Sequence, residues 1–438
     1  MRLLPAVLVV SALACGPRGV LPEEALRLRV EALAAGGDSL GLAKLAARQC
    51  NHGSATVKVN CYEEYFVSVA GSDRVRLALG ALAALAKDHP EVALDGHGYT
   101  HVIGIRAWKP NLDVAAVFKG CTGLFQSGCY HGVIQAYLLE GKVGPIDSMR
   151  AANLCDQVAA SHTEMWLRFQ CVHGLGHGFE MINNWNLPKA LKQCDWLPSP
   201  WDRSSCYGGA FMENAVASMP GGHHTAMHAL ATEKVFDSSK GVAGGDNHDM
   251  PGMVMPKTPD LKAITFKMRD PTDPLYPCSA VDTTYQFACY QMQGGMILTG
   301  VKGDFARATA ACDRVGPPLL RSQCYLSLGT NASGWTAQNT PLVIKDCLHG
   351  DTAYQPFCFV GAVKNYVDVT ANPDDGLAFC RQMEPGVNRD HCYNAVGEEI
   401  SVLYRDPDLR EKACLKAGGD GEAMCRIGAQ LPEKHEKR

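Results

Sequence analysis

Eight of the fifteen histidines in this chain are gathered between positions 97 and 228 into four short clusters. They are DGHGYTH (His97, His101), GCYHG (His131), CVHGLGHG (His173, His177) and GGHHTAMH (His223, His224, His228). His162 stands alone on a polar stretch and reads as a surface residue. The first three clusters share a register. His131 stands two residues after Cys129 and His173 two after Cys171, and DGHGYTH aligns on the latter with Asp95 in the cysteine's place. That alignment lays His97 over His173 and His101 over His177. Side chains four apart share a helix face, so each H-x3-H pair can present two imidazoles to one ion. Neutral imidazole suits zinc, copper or iron, and the register predicts a transition-metal site built from His97, His101, His131, His173 and His177. Glu213, in FMEN of the following segment, is read as a further ligand or as a general base. A mixed His/Glu site with an open position supports Lewis-acid or bound-water chemistry.

The competing reading is that a histidine beside glycine packs between helices. The two glycines of HGLGH weaken an exposed helix and make sense only where a neighbouring backbone or a ligand comes very close. A second metal signal lies in MPGGHHTAMH and NHDMPGMVMP, which gather Met219, His223, His224, Met227, His228, His248, Met250, Met253 and Met255. Thioether with imidazole suits copper(I), although a loop in which methionine is filler is the stronger reading there. No G-x-S-x-G, H-E-x-x-H, Walker A or C-x-x-C-H pattern occurs, so serine-hydrolase, zincin, P-loop and c-haem chemistry have no foothold.

What must position these histidines is written in the cysteines. Of nineteen, Cys15 stands apart, and the other eighteen fall into successive couples: Cys50/Cys61, Cys121/Cys129, Cys155/Cys171, Cys194/Cys206, Cys278/Cys289, Cys312/Cys324, Cys347/Cys358, Cys380/Cys392 and Cys414/Cys425. The zinc spacing C-x2-C is absent, so oxidised local pairs in an oxidising compartment are the economical reading. Aligning on the couples exposes a repeat. In ARATAACDRVGPPLLRSQCYLSLG a helical segment runs into Cys312, Gly316-Pro317-Pro318 breaks it, and a second helix carries Cys324 near its start. An aromatic follows the second cysteine (Tyr130, Tyr207, Tyr290, Tyr325, Phe359, Tyr393), with a glycine beyond it (Gly132, Gly208, Gly361, Gly397). Arg168, Arg203, Arg321 and Arg389 stand three before the second cysteine, and Asp156, Asp195 and Asp313 follow the first. These arginines and aspartates are expected to pair across the loop. After position 278 the cysteines continue but the histidine slot holds Gln291, Leu326, Val360 and Asn394, an asymmetry a pure scaffold does not need.

Each hairpin has an apolar face that only the next can cover. The expected fold is therefore all-α, with disulfide-stapled helix-hairpin repeats stacked as an α-solenoid or closed helical array. Its expected parts are a signal peptide (1–14), an anchor linker (15–21), a helical cap (22–90), histidine-bearing repeats (91–216), a Met/His/Gly/Pro-rich excursion (217–277), cysteine-stapled repeats (278–430) and a charged tail (431–438). The apolar run Leu3–Leu13 followed by ALAC resembles a bacterial lipobox with Cys15 as the lipidated residue. That resemblance implies an exported lipoprotein tethered to a membrane of the cell envelope and facing the periplasm or the exterior. Mixed charge, net −4, without a basic stripe argues against nucleic acid as partner. A metal held between helical repeats is similar, in architecture alone, to the HEAT-repeat deoxyhypusine hydroxylases; their His-Glu dipeptides are missing, so none of their residues carries over. Two functions remain: an envelope metalloprotein, hydrolytic or oxidative if it is an enzyme, and a non-enzymatic scaffold binding an envelope protein or polymer.

Overall fold

The computed structural model describes residues 20–139, 147–159, 165–218 and 266–432. Every regular element among them is an α-helix, with no strand. The signal segment, Cys15, His162 and the Met/His cluster (Met219, His223, His224, Met227, His228, His248, Met250, Met253, Met255) lie outside the described residues.

All nine local cysteine couples are bonded, with Cα–Cα separations from 5.3 Å (Cys50–Cys61) to 5.7 Å (Cys380–Cys392). Most hairpins open with a short first arm, of which Leu187–Cys194 is typical. Asn186 caps it by accepting the Lys189 N–H, Pro188 occupies its first turn, and Leu187, Ala190, Leu191 and Cys194 form the buried stripe. The second arms make up a row in which each touches the next. We number them α1 (Gly96–Ala107), α2 (Gly128–Leu139), α3 (Met165–Ile182), α4 (Pro200–Ser218), α5 (Thr283–Met292), α6 (Pro318–Trp335), α7 (Gln355–Thr370), α8 (Val387–Leu403) and α9 (Gly419–Gly428).

Two hairpins depart from the expected layout, although their cysteines pair as expected. Cys278 bonds to Cys289 and Cys414 to Cys425, each with a Cα–Cα separation of 5.5 Å. Cys289 and Cys425 are each the seventh residue of the second arm, as Cys171, Cys206 and Cys324 are of theirs, but α5 and α9 are short and end three residues later. In the first case the helix breaks at Gln293. Gly294 then begins a separate helix, Gly294–Gly300, with its N–H held by the Ser327 hydroxyl at 2.8 Å. Cys278 itself lies in a turn after Pro277 rather than at the end of a helical first arm. In the second case left-handed backbone at Gln430 (φ 56°) ends the arm just past Gly428, and Cys425 is followed by Arg426 in place of the usual aromatic.

The glycines beyond the second cysteine let most of these arms meet backbone to backbone. A Cβ on Gly132 would lie 2.1 Å from the carbonyl oxygen of His101, and one on Gly128 2.6 Å from that of His97. Advancing four residues on α2 thus advances four on α1, so the two helices run parallel. At α4 the contact is made by Gly209, whose Cβ would meet the His173 carbonyl at 1.9 Å, rather than by Gly208. A Cβ on Gly176 of HGLGH would lie 2.0 Å from the carbonyl oxygen of Cys206, which explains a glycine in mid-helix.

Among the described residues the expected Arg–Asp brace forms in one hairpin only, between Arg168 and Asp156 at 2.5 Å. Elsewhere Arg203 donates to the carbonyls of Leu197 and Pro198, and Arg321 to that of Val315. The aspartates accept instead from the tyrosine after the second cysteine, Tyr207 to Asp195 at 2.6 Å and Tyr325 to Asp313 at 2.7 Å. The aromatic therefore both fills the layer and fastens the loop.

One loop leaves the nearest-neighbour pattern. Phe125, Gln126 and Ser127, just before α2, all have left-handed backbone (φ 50°, 57° and 63°). Each such non-glycine residue costs about 1–2 kcal/mol, so the contacts around the loop must dictate it. Among these, Phe125 N–H donates to the Val369 carbonyl and Gln126 N–H to the Asp368 carbonyl, both at 3.2 Å, at the C-terminal end of α7.

Candidate metal centre

Three parallel second arms bring four imidazoles together. His97 and His101 come from α1, His131 from α2 and His177 from α3, and one ring nitrogen of each lies within 4.8 Å of the others. His101, His131 and His177 are sealed from solvent, whereas His97 is half-buried and forms the side of the cluster nearest water.

The outward-facing nitrogen of each ring is held by an acceptor. Nδ1 of His97 faces the Phe125 carbonyl at 2.9 Å, Nδ1 of His101 the Gln135 Oε1 at 2.7 Å, Nε2 of His131 the Gln170 Oε1 at 2.9 Å, and Nδ1 of His177 the Glu213 Oε2 at 2.9 Å. A carbonyl can only accept, so His97 carries its proton on Nδ1 and turns the Nε2 lone pair inward. Gln135 uses its amide nitrogen on Glu213 Oε2 and Met181 Sδ, which leaves its oxygen for His101. His101 thus also carries its proton on Nδ1. The two Nε2 atoms of His97 and His101 stand 3.0 Å apart, so two lone pairs face each other across a gap that a shared cation would relieve. Nδ1 of His131 and Nε2 of His177 have no hydrogen-bond partner. Fixing the tautomer from behind is how proteins orient histidine ligands.

Burial holds His97, His131 and His177 in the neutral form that binds metal. It pushes the His97 imidazole down to about 4, a charge on His177 adding to the effect and the Phe125 carbonyl opposing it. Burial alone pushes His177 down to about 3. His131 lies well below the ordinary imidazole range through burial and then through His173, His177 and His97. Four nitrogens about 2.0–2.1 Å from one ion in a tetrahedron stand about 3.3 Å apart. A common ion would therefore draw the most widely spaced rings inward.

His173 is not among the four. Its ring lies 4.8 Å from that of His131 and 5.1 Å from that of His177, centroid to centroid, with Phe169 at 5.2 Å. It sits beside α4, where a Cβ on Gly208 would be 3.4 Å from its Nδ1. Glu213, fully buried, stands behind His177 rather than in the cluster; its other oxygen accepts from Trp185 Nε1 at 3.3 Å. The carboxylate is thus placed to orient His177 and Gln135.

Sequence reasoning missed Gln135, Gln170 and the Phe125 carbonyl. Gln135 was within reach, since it stands four residues after His131, in the slot that His101 and His177 occupy. Glu180 was missed as well. It is fully buried, neither of its carboxyl oxygens has a hydrogen-bond partner, and burial followed by the charge of Glu213 raises it well above the usual carboxylate range.

In the later repeats the same slot carries charges of both signs. Lys364 stands six residues after Cys358, as His177 does after Cys171, and Glu398 six after Cys392. Lys364 Nζ contacts Glu398 at 2.7 Å and Glu399 at 3.3 Å.

A buried four-histidine group that can hold a metal ion, set in a disulfide-rich helical protein, is thus the chemistry this chain displays. The nine disulfides suggest an oxidising, exported environment, and no described helix is long and apolar enough to cross a membrane. Comparison with models of known protein families, with curated proteins and with solved structures gave no match.

Proposed function

We propose that the protein is an exported, lipid-anchored metalloprotein of the bacterial cell envelope, a stacked array of stapled hairpins that holds one zinc, copper or iron ion on His97, His101, His131 and His177. The observation that carries this reading is the orientation of the four rings: each has its outer nitrogen bonded to an acceptor and its inner nitrogen turned to one common point. Packing histidines need no such agreement. The parallel, serial contact of the second arms supports the array, and the apolar run ending at Ala14-Cys15 supports the anchor. Four neutral imidazoles with Glu213 behind them favour retention of the ion. Hydrolytic or oxidative chemistry there would have to enter at the half-buried His97 side.

Elemental analysis tests the reading on protein purified from an oxidising compartment without a histidine tag. We expect about one equivalent of one transition metal, lost in the His101→Ala/His177→Ala variant. Less than a tenth of an equivalent of every transition metal, before and after reconstitution, would overturn it.

A further inference from the structure

We propose that metal occupancy of the four-histidine centre and docking of the Gly123–Ser127 loop onto the C-terminal end of α7 are coupled, so that each strengthens the other. The inference rests on the metal reading above and adds a means of regulating that site. Its basis is a single peptide group. The Phe125 carbonyl accepts from His97 Nδ1 at 2.9 Å, and the N–H of the same peptide, that of Gln126, donates to the Asp368 carbonyl at 3.2 Å. Phe125 N–H reaches the adjacent Val369 carbonyl at 3.2 Å.

The loop that carries this peptide is shaped by its contacts. Three successive non-glycine residues in left-handed backbone persist only where the surroundings over-determine them. Here those surroundings are the two carbonyls of α7, the bonds from Ser127 N–H to the Gly123 and Leu124 carbonyls, the Phe125 ring on Gly96, and His97. Ser127 leads directly into Gly128, the start of α2, and so to His131. The loop thus touches two of the four ligands, one through its carbonyl and one through the chain.

An ion shared by the four rings acts on this peptide in two ways. It draws His97 inward, and with it the position at which Phe125 must accept. It also withdraws electron density from the ring, which makes Nδ1–H a stronger donor to the same carbonyl. The other end of that peptide is fastened to α7, where Lys364 bridges to Glu398 and Glu399 of α8. Binding linkage is reciprocal: whatever factor docking adds to metal affinity, the metal adds to docking.

The test is amide hydrogen exchange on the full chain with its disulfides intact, metal-free and loaded with Zn²⁺, together with zinc affinity from chelator competition. Loading is expected to slow exchange at Phe125 and Gln126 at least about tenfold, within the usual range of coupling factors, with lesser slowing in the last turn of α7. A variant carrying Q126P, which removes the N–H that reaches the Asp368 carbonyl and whose ring cannot take the left-handed backbone of position 126, is expected to bind one zinc at about tenfold lower affinity. One equivalent of zinc bound by the native chain with exchange at those two amides unchanged within about twofold overturns the coupling and leaves the metal centre standing. A Q126P variant of undiminished affinity does the same. Failure of the native chain to take up zinc or any other transition metal overturns both readings.

Discussion

Replacing Glu213 by glutamine tests whether the residues behind the cluster govern its affinity. Glu213 is fully buried, and its oxygens meet Nδ1 of His177 at 2.9 Å, Nε2 of Gln135 at 3.3 Å and Nε1 of Trp185 at 3.3 Å. The carboxylate can accept from all three; an amide cannot. If the new oxygen stays on His177 and Gln135, the NH2 group points at the Trp185 N–H, and one buried donor is left unmatched. Loss of the charge on the bond to His177 costs about 1 kcal/mol, the difference between charged and neutral hydrogen bonds, and the unmatched donor adds about 1–3 kcal/mol. Part of that second cost falls on the metal-free protein too. We therefore expect the metal affinity of Glu213→Gln to fall by about 2 kcal/mol, about 30-fold, within the 10–100-fold usual for such outer partners. Stoichiometry should stay at one. Competition against a chromophoric chelator reads the affinity, and far-UV circular dichroism checks that the helices are intact. An affinity within about twofold of the native value, with the helical signal unchanged, would refute the idea that Glu213 orients His177 for a metal.

Two further predictions concern the metal-free protein. The folded imidazoles of His97 and His177 sit at about 4 and about 3, with His131 and His173 also well below their ordinary value, so between about pH 6.5 and 4 the unfolded chain binds more protons. The unfolding free energy should then fall as pH falls through that window; calorimetry at pH 7, 5.5 and 4.5 should show it, and a variant with all four cluster histidines changed to glutamine should show a much shallower decline. Glu180 has the opposite sign, because its folded carboxyl is raised and it resists ionisation as pH climbs past its unfolded value of about 4.5. Glu180→Met should raise the melting temperature of the metal-free protein at pH 8, and by much less at pH 4.5; equal melting temperatures at pH 8 would count against a buried Glu180 that resists ionisation.

The hairpins and their staples were legible because proline, glycine and cysteine act locally. Gly316-Pro317-Pro318 breaks a helix wherever it occurs, and Cys312 finds Cys324 because little chain separates them. The same short separation pairs Cys278 with Cys289 and Cys414 with Cys425, but where each second arm stops depends on how it meets its neighbour, so the early end of α5 and α9 was hidden. His97, His101, His131 and His177 were legible for a related reason: the repeat gives neighbouring arms one register, so residues in equivalent slots face one space. His173 shows where register stops. It shares the slot of His131, yet its ring goes to the space beside Gly208, and no spacing rule says which of two neighbours offers room. Nor did sequence separate the roles of Asp195 and Asp313. Each has both an arginine and a tyrosine a few residues along the chain, and it is the tyrosine that donates to it, at 2.6–2.7 Å, while the arginine donates to loop carbonyls. The link from Phe125 to Val369 joins residues far apart in the chain, and nothing local announces it.

Lys364 and Glu398 occupy the position that His177 holds in its own arm, six residues past the second cysteine. One half of the row thus carries an ion pair within the protein itself, Lys364 with Glu398 and Glu399, and the other carries a set of lone pairs that call for a cation from outside. Backbone contact and disulfides hold most of these arms, while the residue in that slot differs from one arm to the next. The two halves are thus a comparison, within one chain, between a cation the protein supplies from its own side chain and one it must borrow.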